Sequence, residues 1–128
     1  MFRVIIAGTR TFNDYELLEK HTTYMLSRRA SANTPIEIVS GGAPGADALG
    51  ERYAREHGYK LTIFPADWGR YGRRAGPIRN RQMVEYADAL IAFYNGTSRG
   101  TANVIEEARS AGLLVSVKRY ENLDASNF

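Results

Sequence analysis

Three short glycine-bearing segments have the residue types that hold an anion. Ser40-Gly41-Gly42-Ala43-Pro44-Gly45-Ala46-Asp47 places three glycines within five positions and leads into a stretch of helical period. Glycine lets backbone N–H groups come close to a ligand, and a helix start adds partial positive charge. Asn95-Gly96-Thr97-Ser98-Arg99-Gly100-Thr101 repeats the device, with the Thr101 hydroxyl placed to cap a helix. Gly8-Thr9-Arg10 is a third, shorter segment of the same kind. One such segment alone reads more readily as a tight turn with no ligand; two at equivalent junctions can face one ligand. Neither the dinucleotide pattern G-x-G-x-x-G nor the P-loop G-x-x-x-x-G-K-[ST] is matched. Nothing here specifies NAD or P-loop ATP hydrolysis.

Arginine is the second chemical signal. The chain has 14 Arg against 3 Lys, and five of the Arg lie between Arg70 and Arg81. The guanidinium is a planar fork of donors that suits phosphate and carboxylate. Arg79-Asn80 follows Ala75-Gly76-Pro77-Ile78, at the start of a predicted helix, where the pair can bond a phosphate or a ribose. With Trp68, Gly69, Tyr71, Gly72 and Gly76 nearby, the segment reads as a ligand-facing loop with a stacking surface. The bland alternatives are a solvated basic face and a Trp68 that belongs to the core.

Other side chains say less. Asp47 falls in the first turn of a helix, where the helix dipole favours a carboxylate. Asp67 is a possible ligand or base with no partner legible in the sequence. Glu106 and Glu107 are on a helix, where solvated carboxylates are common. His21 and His57 are on separate helices and there is no H-E-x-x-H pair, so no zinc site is expected. The absence of cysteine removes thiolate nucleophiles, disulfides and thiolate-held metals. There is no G-x-S-x-G elbow.

The elements that must position these residues alternate regularly. Short apolar runs at Phe2–Ala7, Ile36–Val39, Leu61–Phe64, Ala89–Phe93 and Leu113–Val117 predict strands buried on both faces. Helical periods lie between them. The first helix starts near Asn13, where Asn13 and Glu16 resemble a capping box, and faces inward with Leu18, Thr22, Met25 and Leu26. The second buries Ala46, Leu49, Tyr53, Ala54 and His57 and ends at Gly58. The third opens at Pro77 and presents Met83, Val84 and Ala87; the fourth runs from about Thr101 to Ala111, burying Ile105 and Ala108. This β-α alternation predicts an α/β fold, a five-stranded parallel sheet with helices on both faces and right-handed crossovers. Ligands of such sheets sit beyond the carboxyl ends of the strands. With strand order 3-2-1-4-5, the Gly8 and Gly100 loops flank one crevice and the Gly41 loop lies beside them.

The 128 residues and 14.3 kDa make one domain, read as 1–119 with a polar tail over 120–128. Hydrophobic residues at 44% and charged residues at 24% exclude a disordered chain, a collagen and a coiled coil. No apolar run approaches the ~20 residues of a membrane span, and no signal-peptide pattern opens the chain. A cytoplasmic location is expected. A net charge of +3 is small for a nucleic-acid binder, and no long basic stripe with interleaved aromatics is present.

Taken jointly, Ala7-Gly8-Thr9-Arg10, Ser40 to Asp47, Pro65-Ala66-Asp67-Trp68, Ala75-Gly76 with Arg79-Asn80 and Met83, Ala87-Asp88, and Ser98 with Gly100-Thr101 resemble the YspA/YpsA-type proteins of the SLOG (Smf/DprA–LOG) superfamily. The resemblance runs from about Phe2 to Val117. It implies a Rossmann-like domain that binds a nucleotide or nucleotide-derived phosphate-bearing small ligand, for sensing, sequestration or regulation, and that self-associates as a homo-oligomer. No cofactor is expected, nucleic acid is not the expected partner, and no membrane partner is expected. The ligand set the resemblance suggests is Gly8, Thr9, Arg10, Ser40, Gly41, Gly42, Asp47, Trp68, Arg79, Asn80, Arg99, Gly100 and Thr101.

The LOG enzymes of the superfamily cleave the N-glycosidic bond of nucleoside monophosphates. Their P-G-G-x-G-T-x-x-E motif is similar at Gly100-Thr101, but the position of its glutamate is Val104 here. Glu106 lies about 200° further round a helix. Asp67 and Asp88 are the other carboxylates that the comparison leaves as substitutes. Cleavage through an oxocarbenium-like state needs such a group, so ligand binding without LOG-type turnover is the expectation. Phosphoribohydrolase activity is the alternative, and a DprA-like nucleic-acid binder the third reading.

Overall fold

Val4, Ile5, Ile6 and Ala7 are four consecutive buried residues, a run a strand tolerates only with both faces covered. They belong to β1 (Phe2–Gly8), the central strand of the computed structural model, which describes residues 1–31 and 33–120. Along the chain follow α1 (Tyr15–Arg29), β2 (Ile36–Ser40), α2 (Ala46–His57), β3 (Lys60–Ile63), α3 (Trp68–Tyr71), a 3-10 turn (Gly72–Arg74), α4 (Ala75–Tyr86), β4 (Ala89–Tyr94), α5 (Arg99–Ser110) and β5 (Leu114–Arg119). The five strands are all parallel, in the order β3-β2-β1-β4-β5. This is the expected Rossmann-like architecture.

Alternate residues of the strands feed two cores. Val4, Ile6, Ile38, Ile91 and Phe93 pack with Leu18 and Leu26 of α1 and Tyr53 and Ala54 of α2. Ile5, Ala7, Val39, Leu90 and Ala92 pack on the other face with Met83 and Val84 of α4 and Val104, Ile105 and Ala108 of α5. Gly50 lets α2 lie directly on β1, since a Cβ there would stand 2.7 Å from Ile6 Cγ2.

The edge strands β3 and β5 are half-buried to exposed rather than buried on both faces, and other local expectations need correction as well. The N-cap of α1 is Asp14 rather than Asn13: its Oδ1 accepts from Leu17 N–H at 3.0 Å. His57 is not on a buried face; it is exposed and pairs with Glu19 at 3.0 Å. The helix expected from Pro77 begins two residues earlier, preceded by α3 and the 3-10 turn. Tyr120, assigned to the tail, packs edge-on against Phe12 at 4.7 Å, and its N–H donates to Tyr94 O. Residues 121–128 of that tail lie outside the described residues.

At the amino end of the sheet Glu37 is wholly buried. Burial alone would raise its pKa, but hydrogen bonds from Tyr86 and Thr62, with Lys60 and Arg3 nearby, outweigh that and hold it below the ordinary carboxylate value. Among the described residues no helix is long and apolar enough to cross a membrane.

Candidate functional site at the carboxyl edge of the sheet

A cavity of about 780 Å³ opens beyond the carboxyl ends of β1, β2 and β3 and between α4 and α5. Its floor is the set of loops singled out by their glycines, and close packing explains two of those glycines. A Cβ on Gly8 would lie 2.2 Å from Phe93 O and 2.8 Å from Ala46 Cβ. Gly45 has φ +79°, and a Cβ there would meet Thr9 O and Arg10 O, each at 2.4 Å. The β2–α2 loop is thereby seated on the β1–α1 loop, where Ala46 N–H donates to Thr9 O.

The side chains of this floor divide into those that shape it and those that face the cavity. Ser40 is buried; its hydroxyl donates to Glu51 Oε2 at 2.7 Å and accepts from Gly42 N–H at 3.1 Å. Thr9 is buried too, and its Oγ1 accepts from Asn95 N–H at 3.2 Å, tying β1 to the loop after β4. Neither lines the cavity. Gly8, Arg10, Gly41, Gly42, Asp47, Trp68, Arg79, Asn80, Arg99, Gly100 and Thr101 all do.

Arg79 is the charge inside. It projects from the second turn of α4, half-buried, donating through Nη1 to Gly41 O and through Nε to Asn80 Oδ1 at 2.9 Å. Burial pulls its pKa down; Asp47 opposes this, and the like charge of Arg10 adds to it. Asp47 is only 5% exposed, and its Oδ2 accepts from Ala43 N–H at 3.3 Å. Burial pushes its carboxyl up to about 6 against the pull of that N–H and of Arg79, with Glu51 adding to the rise. Desolvation therefore dominates in both partners, and each charge makes the other less costly.

The opposite wall is the start of α5. Ser98 caps it, its Oγ accepting from Thr101 N–H at 3.3 Å and meeting Thr101 Oγ1 at 2.9 Å. The expected cap, Thr101, is thus the capped residue. The N–H groups of Arg99 and Gly100 have no acceptor among the described residues, and a Cβ on Gly100 would meet nothing within 4 Å. Asn80 ties this wall to α4: its Nδ2 donates to Asn103 Oδ1 at 2.9 Å and to Gly100 O at 3.3 Å. Its amide is a brace for the helix start.

The three carboxylates weighed for catalysis stand elsewhere. Asp88 is at the amino end of β4, where its Oδ2 accepts from Arg3 N–H at 2.9 Å, on the edge of the sheet away from the cavity. Asp67 caps α3, accepting from Arg70 N–H at 3.1 Å, and does not line the cavity. Glu106 is exposed on α5 outside the lining. Val104 does line it, although it is 2% exposed and belongs to the core. The cavity's carboxylates are Asp47 and Glu51; the sequence reading missed Glu51, whose one signal is its place a helical turn after Asp47. Arg73 and Asn103 were missed as well. Among the described residues no group of three or more His, Asp or Glu is gathered to hold a metal ion.

Residues 2–71 match the model of the YspA, cpYpsA-related SLOG family. The chain is 36% identical over 121 residues to the Gene 61 protein of Mycobacterium phage D29, across 90% of this chain and 94% of that one. Among solved structures, DNA processing protein A from Streptococcus pneumoniae superposes with a TM-score of 0.72 at 17% identity. That match takes in 96% of this chain but only 52% of the other, so the chain spans about half of that protein. The structural-genomics target TM1055 superposes with a TM-score of 0.63 at 19% identity, covering 90% of this chain and 72% of that one. At these identities the two structures share the fold.

Proposed function

The chain belongs to the YspA, cpYpsA-related SLOG family, and from that premise we propose that its carboxyl-edge crevice binds a nucleotide or nucleotide-derived small molecule by its phosphate. The observation that carries the reading is Arg79. Its guanidinium is half-buried and lines the same cavity as Arg10 and as Arg99 and Gly100 at the start of α5, where a Cβ on Gly100 would meet nothing within 4 Å. A phosphate in that space accepts charge-assisted hydrogen bonds from the guanidinium and sits at the positive end of α5. It also relieves the repulsion between two arginines. Gly42, exposed in the lining, leaves backbone uncovered there.

The biological role that follows is sensing, sequestration or regulation. Val104 supplies no carboxylate where the LOG enzymes have one, so hydrolysis is not part of this reading. A nucleic-acid ligand fits less well: Arg10, Arg73, Arg79 and Arg99 gather round one cavity, an arrangement for a compact anion. A steep fall of DNA affinity with salt is the observation that would reopen it. Self-association belongs to the same proposal and is checked by sedimentation velocity.

The test is calorimetry with AMP, ADP and ADP-ribose on the native chain and on Arg79→Ala. The variant should lose roughly 1.5–3 kcal/mol of affinity, the range for a charge-assisted hydrogen bond, with an unchanged circular dichroism spectrum. Equal affinity in the two proteins sinks the assignment.

A further inference from the structure

Trp68 is 53% exposed and Ile63 43%, and both line the cavity. Large apolar side chains left in water are the informative exceptions to burial. The other three exposed large apolar residues among those described are scattered: Met1 at the terminus, Tyr24 on α1 and Leu114 on the edge strand. The two at the cavity form one wall. Ile63 Cγ2 lies beside the Gly42 backbone, within 3.2 Å of where a Cβ would stand, and Pro65 and Ala66 continue the wall to Trp68.

The indole is held in this position. Trp68 opens α3 directly after Asp67, whose side chain caps the turn through Arg70 N–H. The ring edge rests on the first turn of α4, where Cη2 is 3.4 Å from the place a Cβ of Gly76 would take. A Cβ at Gly76 would stand in ordinary contact with the ring. The ring edge lies beside α4 while half the residue stays open.

We propose that Trp68, backed by Ile63 and Pro65, is the platform on which a planar aromatic base stacks, so that the ligand spans the crevice from indole to guanidinium. The assignment rests on the phosphate reading above and adds the second pole of the ligand. An inorganic or sugar phosphate leaves the apolar wall wet; a purely apolar ligand leaves Arg79 without an anion. A base joined through a sugar to phosphate satisfies both ends. Base–aromatic stacking tolerates different bases, because every base has a π-face.

Trp68 is the only tryptophan of the chain, so intrinsic fluorescence reports this position. The experiment titrates the full chain with AMP, UMP, ADP-ribose and ribose 5-phosphate, followed in parallel by fluorescence and calorimetry. The base-bearing probes should quench or shift the emission, and ribose 5-phosphate should not. Trp68→Ala should weaken AMP about tenfold, within the range measured for stacked bases, and leave ribose 5-phosphate unchanged; Trp68→Phe should restore most of the AMP affinity. AMP binding that depends on Arg79 yet leaves both the emission and the Trp68→Ala affinity unaltered overturns the platform and keeps the phosphate reading. No heat from any probe overturns both. An emission shift that follows protein concentration and not nucleotide also overturns the platform, assigning the wall to contact with a second copy of the chain.

Discussion

The guanidinium of Arg79 and the carboxyl of Asp47 converge on Gly41. A Cβ at that glycine would stand 2.6 Å from Arg79 Nη1 and 2.8 Å from Asp47 Oδ2. The two groups reach this point from α4 and α2, helices that pack into the two different cores of the sheet, and the glycine is what lets both occupy it.

Gly41→Ala should therefore damage binding more than folding. The atoms in the way are the ends of flexible side chains, so the added methyl displaces Arg79 and the backbone stays. Nucleotide affinity should fall about tenfold or more, on the scale of a lost charge-assisted hydrogen bond. Gly45→Ala should do the reverse: positive φ and two carbonyl oxygens at 2.4 Å leave nothing free to move, and stability should drop by several kcal/mol. Urea denaturation alongside calorimetry separates the two effects.

Asp47 makes stability depend on pH with a definite sign. Its pKa is about 6 in the fold against an ordinary 3.8. Between those values the native state holds the proton that the unfolded chain has released, so this contribution is full below the lower value and is lost as pH rises through the upper. Asp47→Asn removes the ionisation and keeps an acceptor for Ala43 N–H. The variant should gain on the native chain as pH goes from about 4 to 7, by up to about 3 kcal/mol. His21, whose pKa is lowered by burial and by Lys118, titrates identically in both proteins and cancels in the difference. Thermal melts of the pair across this range check it, and a constant offset would refute the assignment.

Val104 should make the chain a binder without turnover. Incubation with AMP or UMP should release free base no faster than the blank, read by chromatography. Val104→Glu would place a carboxylate at a position 2% exposed among Met83, Val84 and Ile105. An unpaired buried charge of this kind should cost about 3 kcal/mol or more at pH 7, seen as a lower urea midpoint.

Tyr86→Phe serves as the distant control. The Tyr86 hydroxyl donates to Glu37 at 2.5 Å, at the end of the sheet away from the cavity. Its loss should cost roughly 1.5–3 kcal/mol, as for hydrogen bonds to charged groups, with nucleotide affinity unchanged.

The sequence by itself determined the order of elements, the parallel sheet and the edge at which the crevice opens. Those follow from local patterns: apolar runs such as Val4–Ala7, helical spacing such as Leu18, Thr22 and Leu26, and glycines at strand ends. Arg79 was legible because glycines and aromatics surround it in the chain itself. The direction of each loop side chain was decided only by tertiary structure. Ser40 and Thr9 have the residue types of phosphate ligands, yet Ser40 turns inward to Glu51 and Thr9 to Asn95. Asp88 looked available until the β1–β4 register placed it against Arg3 N–H. Glu51 reached the cavity because α2 lies flat on β1 over Gly50. Trp68, as readily core as surface by composition, is half exposed at the cavity with its ring edge beside Gly76. Most of these outcomes depend on partners distant in the chain, as Arg79 is 38 positions on from Gly41, and periodicity within a single segment has no means of encoding such a contact.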